Sequence, residues 1–264
     1  MTVMFCDLKG FTSLSEGMTP QGLVKVMNRY LSTMSEPIRT NRGIIDKYID
    51  DGIMAYWGPP FVGEADHACL ACLAALEMIE RIATLRQEIP ELLGVRGTHM
   101  EKCDLRIGVA TGEALVGSIG SDVMMSYTVM GDVVNLASRL EGANKAYGTR
   151  SLVSEKTIGA AGNTVEVREI DRVVVTGQTH SEIIFEILGR KGELTSQQLS
   201  SRDKYLEGLA AYREQRWDDA LRALSASLEA VAGDGPSMAL LKRIESLKAH
   251  PPPQGWDGSW HIEK

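Results

Sequence analysis

The sequence has few cysteines, no long apolar segment and no excess of basic residues, and each absence excludes a class of protein. Four cysteines, at positions 6, 69, 72 and 103, occur among 264 residues, which does not resemble a disulfide framework. No apolar run reaches the roughly 18 residues of a membrane-spanning helix. The net charge is −7, so the chain as a whole does not present a nucleic-acid surface. What remains is an ordinary globular composition, 44% apolar and 24% charged, sufficient for one large or two small domains.

Two apolar segments each stop at an aspartate. Val3–Cys6 is short, β-branched and aromatic, which predicts a buried strand, and Asp7 follows it directly. Residues 44–49 and 53–57 predict a hairpin whose turn contains Asp51. If these strands are neighbours, the two carboxylates face each other and repel unless a cation lies between them. Hard oxygen ligands of this kind suit Mg²⁺ or Mn²⁺, although a single Asp at a strand end is more often a turn former or a helix cap.

Several motifs, in order along the chain, carry a resemblance to a known family. Phe5-Cys-Asp-Leu-Lys-Gly-Phe-Thr12 resembles the first metal-binding strand and loop of class III nucleotidyl cyclases, and Lys47-Tyr-Ile-Asp-Asp51 resembles the second. Gly131-Asp-Val-Val-Asn-Leu-Ala-Ser-Arg139 is similar to the family's transition-state motif. The resemblance extends from residue 2 to about residue 188. It implies that the ribose 3′-hydroxyl of a nucleoside triphosphate attacks the α-phosphate and pyrophosphate leaves, which gives cyclic AMP or cyclic GMP.

The resemblance implies which residues contact metal and phosphate. Two Mg²⁺ or Mn²⁺ ions are expected at Asp7 and Asp51, with the backbone carbonyl of Leu8 as a further ligand. One ion would lower the pKa of the attacking hydroxyl, and the other would hold the triphosphate. Arg106 matches the family arginine that contacts the terminal phosphates. Backbone amides at the following helix start form a phosphate cradle. These amides belong to Gly10, Phe11 and Thr12.

Two further residue pairs are implied to act on the reacting phosphate and on the base. Asn135 and Arg139 are four residues apart on a predicted helix and therefore share a face. By resemblance, Arg139 stabilises charge on the α-phosphate and Asn135 orients the ribose. Lys47 and Thr128 resemble the pair that selects adenine in a subclass of bacterial adenylate cyclases. A lysine donor suits a ring nitrogen of adenine, and a threonine hydroxyl can accept a hydrogen bond from the exocyclic amine, so ATP is the expected substrate.

The resemblance also implies a head-to-tail homodimer with two active sites. In the family, the metal-binding residues come from one chain, and the base and transition-state residues come from the other. Lys47 and Asp51, although close in sequence, would therefore serve different active sites. The segment Ser118–Met130 resembles the arm that reaches across to the partner. The expected partners are ATP and a second copy of the chain, with no nucleic acid.

Two positions depart from the family pattern. Asp50 stands where the family usually has Gly, although Asp tolerates left-handed turn geometry better than most residues. Gln178 stands where a phosphate-binding Lys is usual, and His180 is a possible substitute. These departures keep open a nucleotide-binding or scaffold module with weak or no turnover, and an interaction protein whose core only dimerises. A guanylate cyclase is a further alternative, against which Lys47 argues.

The order of predicted elements indicates an α+β fold. Paired strands mixed with helices exclude a doubly wound parallel sheet and fit a ferredoxin-like core, with a mixed, mostly antiparallel sheet and helices on one face. This catalytic domain is expected over residues 1–188, followed by a linker over residues 189–200. Residues 201–249 match the spacing of one tetratricopeptide-like repeat with a third helix, and residues 250–264 predict an extended tail with two tryptophans.

The first predicted strand begins almost at Met1, without a signal peptide before it. Core strands rarely begin at a natural terminus, so we expect this chain to be part of a longer protein. The expected location is the cytoplasm. Attachment to a membrane would require an N-terminal sensor domain outside this sequence.

Overall fold

The computed structural model describes residues 1–16, 18–93, 103–175 and 181–262. The strands are β1 (Thr2–Lys9), β2 (Ile44–Ile49), β3 (Gly52–Trp57), β4 (Asp104–Thr111), β5 (Leu115–Gly120), β6 (Met125–Met130), β7 (Ser151–Ser154), β8 (Val165–Val175), β9 (Glu182–Arg190) and β10 (Trp260–Ile262). The helices are α1 (Phe11–Ser15), α2 (Pro20–Thr40), α3 (His67–Leu93), α4 (Asp132–Tyr147), α5 (Glu155–Ala161), α6 (Ser196–Arg213), α7 (Trp217–Ala230) and α8 (Gly235–Ala249).

Eight strands form one mixed sheet in the order β10-β8-β9-β7-β4-β1-β3-β2, and β5 pairs with β6 in a separate two-stranded ribbon. Within the larger sheet, the neighbours β10–β8 and β4–β7 are parallel. The other pairs in that sheet, among the described residues, are antiparallel. The predicted α+β class and the mixed, mostly antiparallel sheet are therefore confirmed.

Helices cover both faces of the sheet, which corrects the expectation of helices on one face. Met4, Cys6 and Leu8 of β1 belong to a core that includes residues of α2, α3 and α5. Val3, on the opposite face of the same strand, belongs to a second core with residues of α4 and of α6 to α8. Side chains of a strand alternate between faces, so a strand that is apolar at consecutive positions must be covered on both sides.

Helix α2 begins where its capping signals predict. The Thr19 side chain accepts a hydrogen bond from the Gly22 backbone N–H at 3.1 Å, and Pro20 occupies the first turn. A threonine cap satisfies one of the free amides at a helix start, and proline there loses no hydrogen bond. The helix ends at Thr40.

Helix α8 packs against β8 and α4 through buried ion pairs. Arg168 of β8 lies 2.5 Å from Asp234, which caps α8. Asp171 of β8 lies 2.6 Å from Arg243 of α8 and also accepts a hydrogen bond at 2.6 Å from the hydroxyl of Tyr147 of α4. Buried charges are tolerated when they are paired in this way. The pairs therefore fix α8 on β8 and α4.

The connection before these helices is shorter than the expected linker over residues 189–200. Strand β9 continues to Arg190, and α6 begins at Ser196. The side chain and backbone of Thr195 form a capping box with Gln198, which explains why the helix starts there. The division into a catalytic domain and a tetratricopeptide-like segment remains a prediction.

The last described residues join the sheet. Residues Trp260–Ile262 form β10, which pairs in parallel with β8 at the sheet edge. Trp256 packs edge-on against Tyr212, with ring centroids 5.3 Å apart, and Tyr212 also contacts Trp217 of α7. The tail is thus anchored by aromatic contacts and by a strand. None of the helices within the described ranges combines the length and the apolar character that a membrane crossing requires.

Replacing Arg243 tests how the C-terminal helices are fixed. Arg243→Ala leaves Asp171 buried without its ion-pair partner, so we expect the free energy of unfolding to fall by about 3 kcal/mol. Urea titration followed by circular dichroism measures this change. The control is Arg222→Ala on α7, whose side chain is 79% exposed and which should cost less than about 0.5 kcal/mol. Equal effects for the two variants would show that the buried pair does not fix α8.

Candidate active site

The pairing of β1 brings two acidic side chains together. Cys6 of β1 pairs with Ile53 of β3, so that Asp7 and Asp51 lie side by side at this end of the strands. The two side chains are close enough for the negative charge of Asp7 to act on Asp51. Burial and, secondly, the negative charge of Asp7 raise the pKa of Asp51 from its ordinary 3.8 to about 6. The geometry is the one that the positions of the two aspartates predicted.

Arg106 lies on the other side of Asp7. The antiparallel pairing of β1 with β4 sets Arg106 opposite Asp7, and the two form an ion pair. The Arg106 Nε atom also lies 2.8 Å from a carboxyl oxygen of Glu141 of α4. The pKa of Glu141 is raised, mainly by burial and then by the charge of Asp7. Glu141 was not predicted, because the sequence does not indicate which distant residue a single acid on a helix will contact.

The two aspartates fit a divalent cation. Their oxygen atoms are hard ligands, and Mg²⁺ usually binds one or two carboxylates together with substrate phosphates. Arg106 is shared between Asp7 and Glu141, and burial together with the charge of Asp7 raises the pKa of Asp51, so added positive charge would favour the ionised pair. Within the described ranges, no group of three or more His, Cys, Asp or Glu side chains forms an alternative metal cluster.

The loop after Asp7 leads through Gly10 directly into the short helix α1. Gly10 has φ 90° and precedes helix α1, which begins at Phe11. Glycine adopts this left-handed conformation without a steric penalty. Leu14 is buried in the core and anchors the short helix. The first amides of a helix have no partner within it, so those at Phe11 and Thr12 are available to a ligand beside the aspartate pair.

Asn135 and Arg139 lie at a different place. Both line a cleft of about 1330 Å³ that also includes Thr111, at the end of β4. Their helix, α4, packs on the sheet through the buried side chains of Val133 and Ala137. The guanidinium of Arg139 makes no ion pair with any residue that the structure describes, so it is available to a ligand.

The two halves of the predicted site are separated within one chain. Thr2 of β1 pairs with Thr111, beside the cleft, whereas Asp7 pairs with Arg106. Five residues of a strand span about 17 Å. The aspartate pair is therefore about that far from the Thr111 end of the cleft and does not line it, although Glu141 of α4, two residues after Arg139, reaches Arg106.

Lys47 and Thr128 meet at a third residue, Asp46. The Thr128 hydroxyl lies 2.9 Å from one Asp46 carboxyl oxygen and 3.0 Å from the other, and the Lys47 ammonium lies 3.2 Å from that carboxyl. The structure thus places the two predicted base-contacting residues together. Asp46 was not predicted, although an acidic residue inside a strand is unusual and is the signal that points to it.

The two departures from the family pattern differ in outcome. Asp50 has φ 53°, so it adopts the left-handed turn conformation, as its residue type predicted, and the hairpin of β2 and β3 is retained. Gln178 and His180 lie outside the described residues.

Comparisons with known proteins agree with this fold. The model of the adenylate and guanylate cyclase catalytic domain matches residues 1–189, and the chain belongs to that family. It is 34% identical over 191 residues to adenylate cyclase 1 of Rhizobium meliloti (strain 1021), covering 72% of this chain and 27% of the relative. It is 33% identical over 190 residues to an adenylate cyclase of Anabaena cylindrica, covering 71% of this chain and 36% of the relative.

Solved structures give the same result. The adenylyl cyclase CyaB from P. aeruginosa matches with a TM-score of 0.65 at 31% identity, covering 74% of this chain and 96% of that one. The guanylyl cyclase Cya2 matches with a TM-score of 0.61 at 32% identity, covering 74% and 94% of the two chains. This chain spans only 27% to 36% of the length of the two bacterial relatives named above.

Replacing Asp51 should stabilise the metal-free protein. An acid whose pKa is raised in the folded state binds more protons in that state than in the unfolded chain. The free energy of unfolding therefore falls as the pH rises from about 4 through about 6, where Asp51 becomes ionised beside Asp7. Asp51→Asn removes that charge and keeps nearly the same side-chain shape. We expect its melting temperature in EDTA to exceed that of the wild type by about 2 °C at pH 7.5 and by less at pH 5.

Thermal melts with Mg²⁺ or Mn²⁺ complete this test. The ions should stabilise the wild type and have little effect on Asp51→Asn, because binding to the folded state alone raises stability. Asp66→Asn, at an exposed position, is the matched control and should behave as the wild type does. A destabilised Asp51→Asn variant at pH 7.5 would contradict the repulsion between Asp7 and Asp51.

Proposed function

We propose that this chain is the catalytic domain of an adenylate cyclase, which converts ATP to 3′,5′-cyclic AMP and pyrophosphate at sites formed between two copies of the chain. One observation carries the proposal. Asp7 lies toward the end of β1 beside Arg106, whereas Asn135 and Arg139 line a separate cleft that includes Thr111 and does not contain the aspartates. Two copies arranged head to tail would bring one pair from each chain together.

The aspartate end would bind the triphosphate. When bound, two Mg²⁺ or Mn²⁺ ions held by Asp7, Asp51 and the Leu8 carbonyl would supply charge neutralisation and lower the pKa of the attacking hydroxyl. The amides at Gly10 to Thr12 lie beside this pair and would bind phosphate oxygens. Arg106, now paired with Asp7, would turn toward the terminal phosphates once the aspartates have their cations.

The α4 end of the partner would act on the reacting phosphate and the ribose. Arg139, which has no described ion-pair partner, would stabilise the negative charge that grows on the α-phosphate. A preorganised charge of this kind is often the largest single contribution to catalysis. Asn135, on the same face of α4, would orient the ribose so that its 3′-hydroxyl lies in line with the leaving pyrophosphate.

The choice of ATP rests on Lys47 and Thr128. Relatives of this chain are named as adenylate cyclases, but a solved structure of similar identity is named as a guanylyl cyclase, so the family alone does not decide between the bases. Lys47 can donate to an adenine ring nitrogen, and the Thr128 oxygen can accept from the exocyclic amine. Both side chains are at least partly exposed, and they lie side by side.

We further propose that the domain acts in the cytoplasm in signal transduction. Its relatives are much longer proteins, which leaves room for a sensor, membrane-anchored or not, outside the present sequence. The helices α6 to α8 would be a tetratricopeptide-like regulatory segment. Their first two helices pack closely, since a Cβ at Gly208 would lie 2.7 Å from the Leu224 side chain.

The direct test is product formation from ATP and from GTP with Mg²⁺ or Mn²⁺, followed by chromatography of the cyclic nucleotides. We expect cyclic AMP and pyrophosphate in equal amounts, little cyclic GMP, and no product from Asp51→Asn. Nucleotide binding by a folded dimer without product would support the scaffold alternative. A preference for GTP would support the guanylate cyclase alternative.

Truncating Arg139 should reduce turnover rather than binding. Arg139→Ala is expected to lower kcat by about 10²-fold to 10³-fold with a small change in KM, because the arginine acts mainly on charge that develops in the transition state. Lys145→Ala, at an exposed position on the same helix, is the control and should retain activity. An increase in KM at unchanged kcat would place Arg139 in ground-state binding instead.

The β5–β6 ribbon should carry part of the dimer contact. It exposes several large apolar side chains: Leu115, Val123, Met124, Met125, Tyr127 and Met130. Val123, which is 95% exposed, is the most accessible of these. We expect Val123→Asp to weaken dimerisation at least tenfold and to lower activity at low protein concentration, with recovery at high concentration.

Analytical ultracentrifugation and the cyclase assay, both performed across a concentration series, measure this effect. Met238→Asp on α8 changes an apolar side chain that is 48% exposed and should leave the dimer intact. A Val123→Asp variant with unchanged dimerisation would exclude the ribbon tip from the interface.

A further inference from the structure

A buried carboxylate lies between the two residues assigned to the base. The side chain of Asp46 has an exposed fraction of 0%, whereas that of its neighbour Lys47 is 41% exposed. The pairing of β2 with β3 shifts register between Ile45 and Lys47, so Asp46 is the bulged residue. A β-bulge redirects a side chain, and here the Asp46 carboxyl points toward β6 and contacts Thr128 and Val129.

The contacts of Asp46 fix the direction of its hydrogen bonds. The Val129 backbone N–H donates to one carboxyl oxygen at 2.9 Å, and the Lys47 ammonium lies 3.2 Å from the other. Both of these groups can only donate. The Asp46 oxygens are therefore acceptors, and the Thr128 hydroxyl, at 2.9 to 3.0 Å, must direct its single proton toward them.

A hydroxyl whose proton is committed in this way presents only lone pairs elsewhere. Adenine carries an amine at position 6, which donates, whereas guanine carries a carbonyl oxygen there, which accepts. A freely rotating threonine hydroxyl could serve either base. The hydroxyl of Thr128, held by Asp46, can accept from the adenine amine but would meet guanine with oxygen lone pairs on both sides.

We propose that Asp46 is a specificity-determining positioning residue, which makes Thr128 an obligate hydrogen-bond acceptor and thereby favours adenine over 6-oxopurines. This inference rests on the proposed function. Asp46 would not touch the substrate. It would act through Thr128 and would also hold the Lys47 ammonium, whose donor character suits the unprotonated N1 of adenine and not the N1–H of guanine.

The experiment compares the unaltered chain of residues 1–264 with Asp46→Asn, Thr128→Val and the double variant. The substrates are ATP and inosine triphosphate. They differ in the group at purine position 6 and in whether N1 carries a proton. Neither has the 2-amino group of GTP, so that group does not affect the comparison. Asparagine keeps the shape of aspartate, but its amide can donate to Thr128 and so release the hydroxyl proton. We expect Asp46→Asn to lower the ratio of kcat/KM for ATP over inosine triphosphate about tenfold, the size of one hydrogen bond.

The double variant separates a specificity role from a structural one. In the Thr128→Val background no hydroxyl remains to orient, so Asp46→Asn should leave the ratio unchanged, whereas independent effects would add. Asp66→Asn, at an exposed position, should keep the wild-type ratio. A fall in kcat/KM that is equal for both nucleotides in Asp46→Asn, with an unchanged ratio, would overturn the proposal.

A measurement on the wild type protects the test against a variant that fails to fold. Purine riboside triphosphate lacks any group at position 6, so it should be used at least about tenfold less well than ATP if Thr128 accepts from the amine. Equal use would overturn the inference. If the wild type makes no cyclic nucleotide, the proposed function fails. In that case calorimetry gives the ratio of the binding affinities for ATP and inosine triphosphate in the wild type and in the variants. This ratio tests the role of Asp46 without turnover.

Discussion

The pairing of β1 with β3 on one side and β4 on the other is the constraint on which the candidate active site depends. It places Asp51 beside Asp7 and sets Arg106 opposite Asp7. Because the carboxyl groups are partly buried, water screens their repulsion poorly, and the pKa of Asp51 is raised to about 6. One arginine cannot balance both aspartates and Glu141 as well. Additional positive charge at this site would therefore stabilise the folded chain, and divalent cations bound with a triphosphate would supply it.

The same strand also separates the two halves of the site. Its other end lies beside the cleft that contains Asn135 and Arg139. Helix α4, which carries both residues, is held against the sheet by its own apolar face and, through Tyr147, by the buried pair of Asp171 and Arg243. The C-terminal helices thus contact the helix that carries Asn135 and Arg139.

Much of the fold could be predicted from the sequence because its signals are local. Alternating and continuous apolar runs predicted the strands, Thr19 and Pro20 predicted the start of α2, and the residue type at 50 predicted its left-handed turn. The contacts that depend on tertiary packing could not be predicted. Helices cover both sheet faces, Glu141 meets Arg106 across 35 positions, and Asp46 meets Thr128 across 82. Their partners are distant in sequence, and only the bulge in β2 brings Asp46 to Thr128.

The measurement that tests the central claim most directly is complementation between two inactive variants. Asp51→Asn and Arg139→Ala are purified separately, mixed in equal amounts, allowed to exchange subunits and assayed for cyclic AMP. If each site takes its aspartates from one chain and Arg139 from the other, half of the dimers are mixed and each has one intact site. The mixture should then recover about one quarter of wild-type activity. Activity no higher than that of the separate variants would show that each site lies within a single chain.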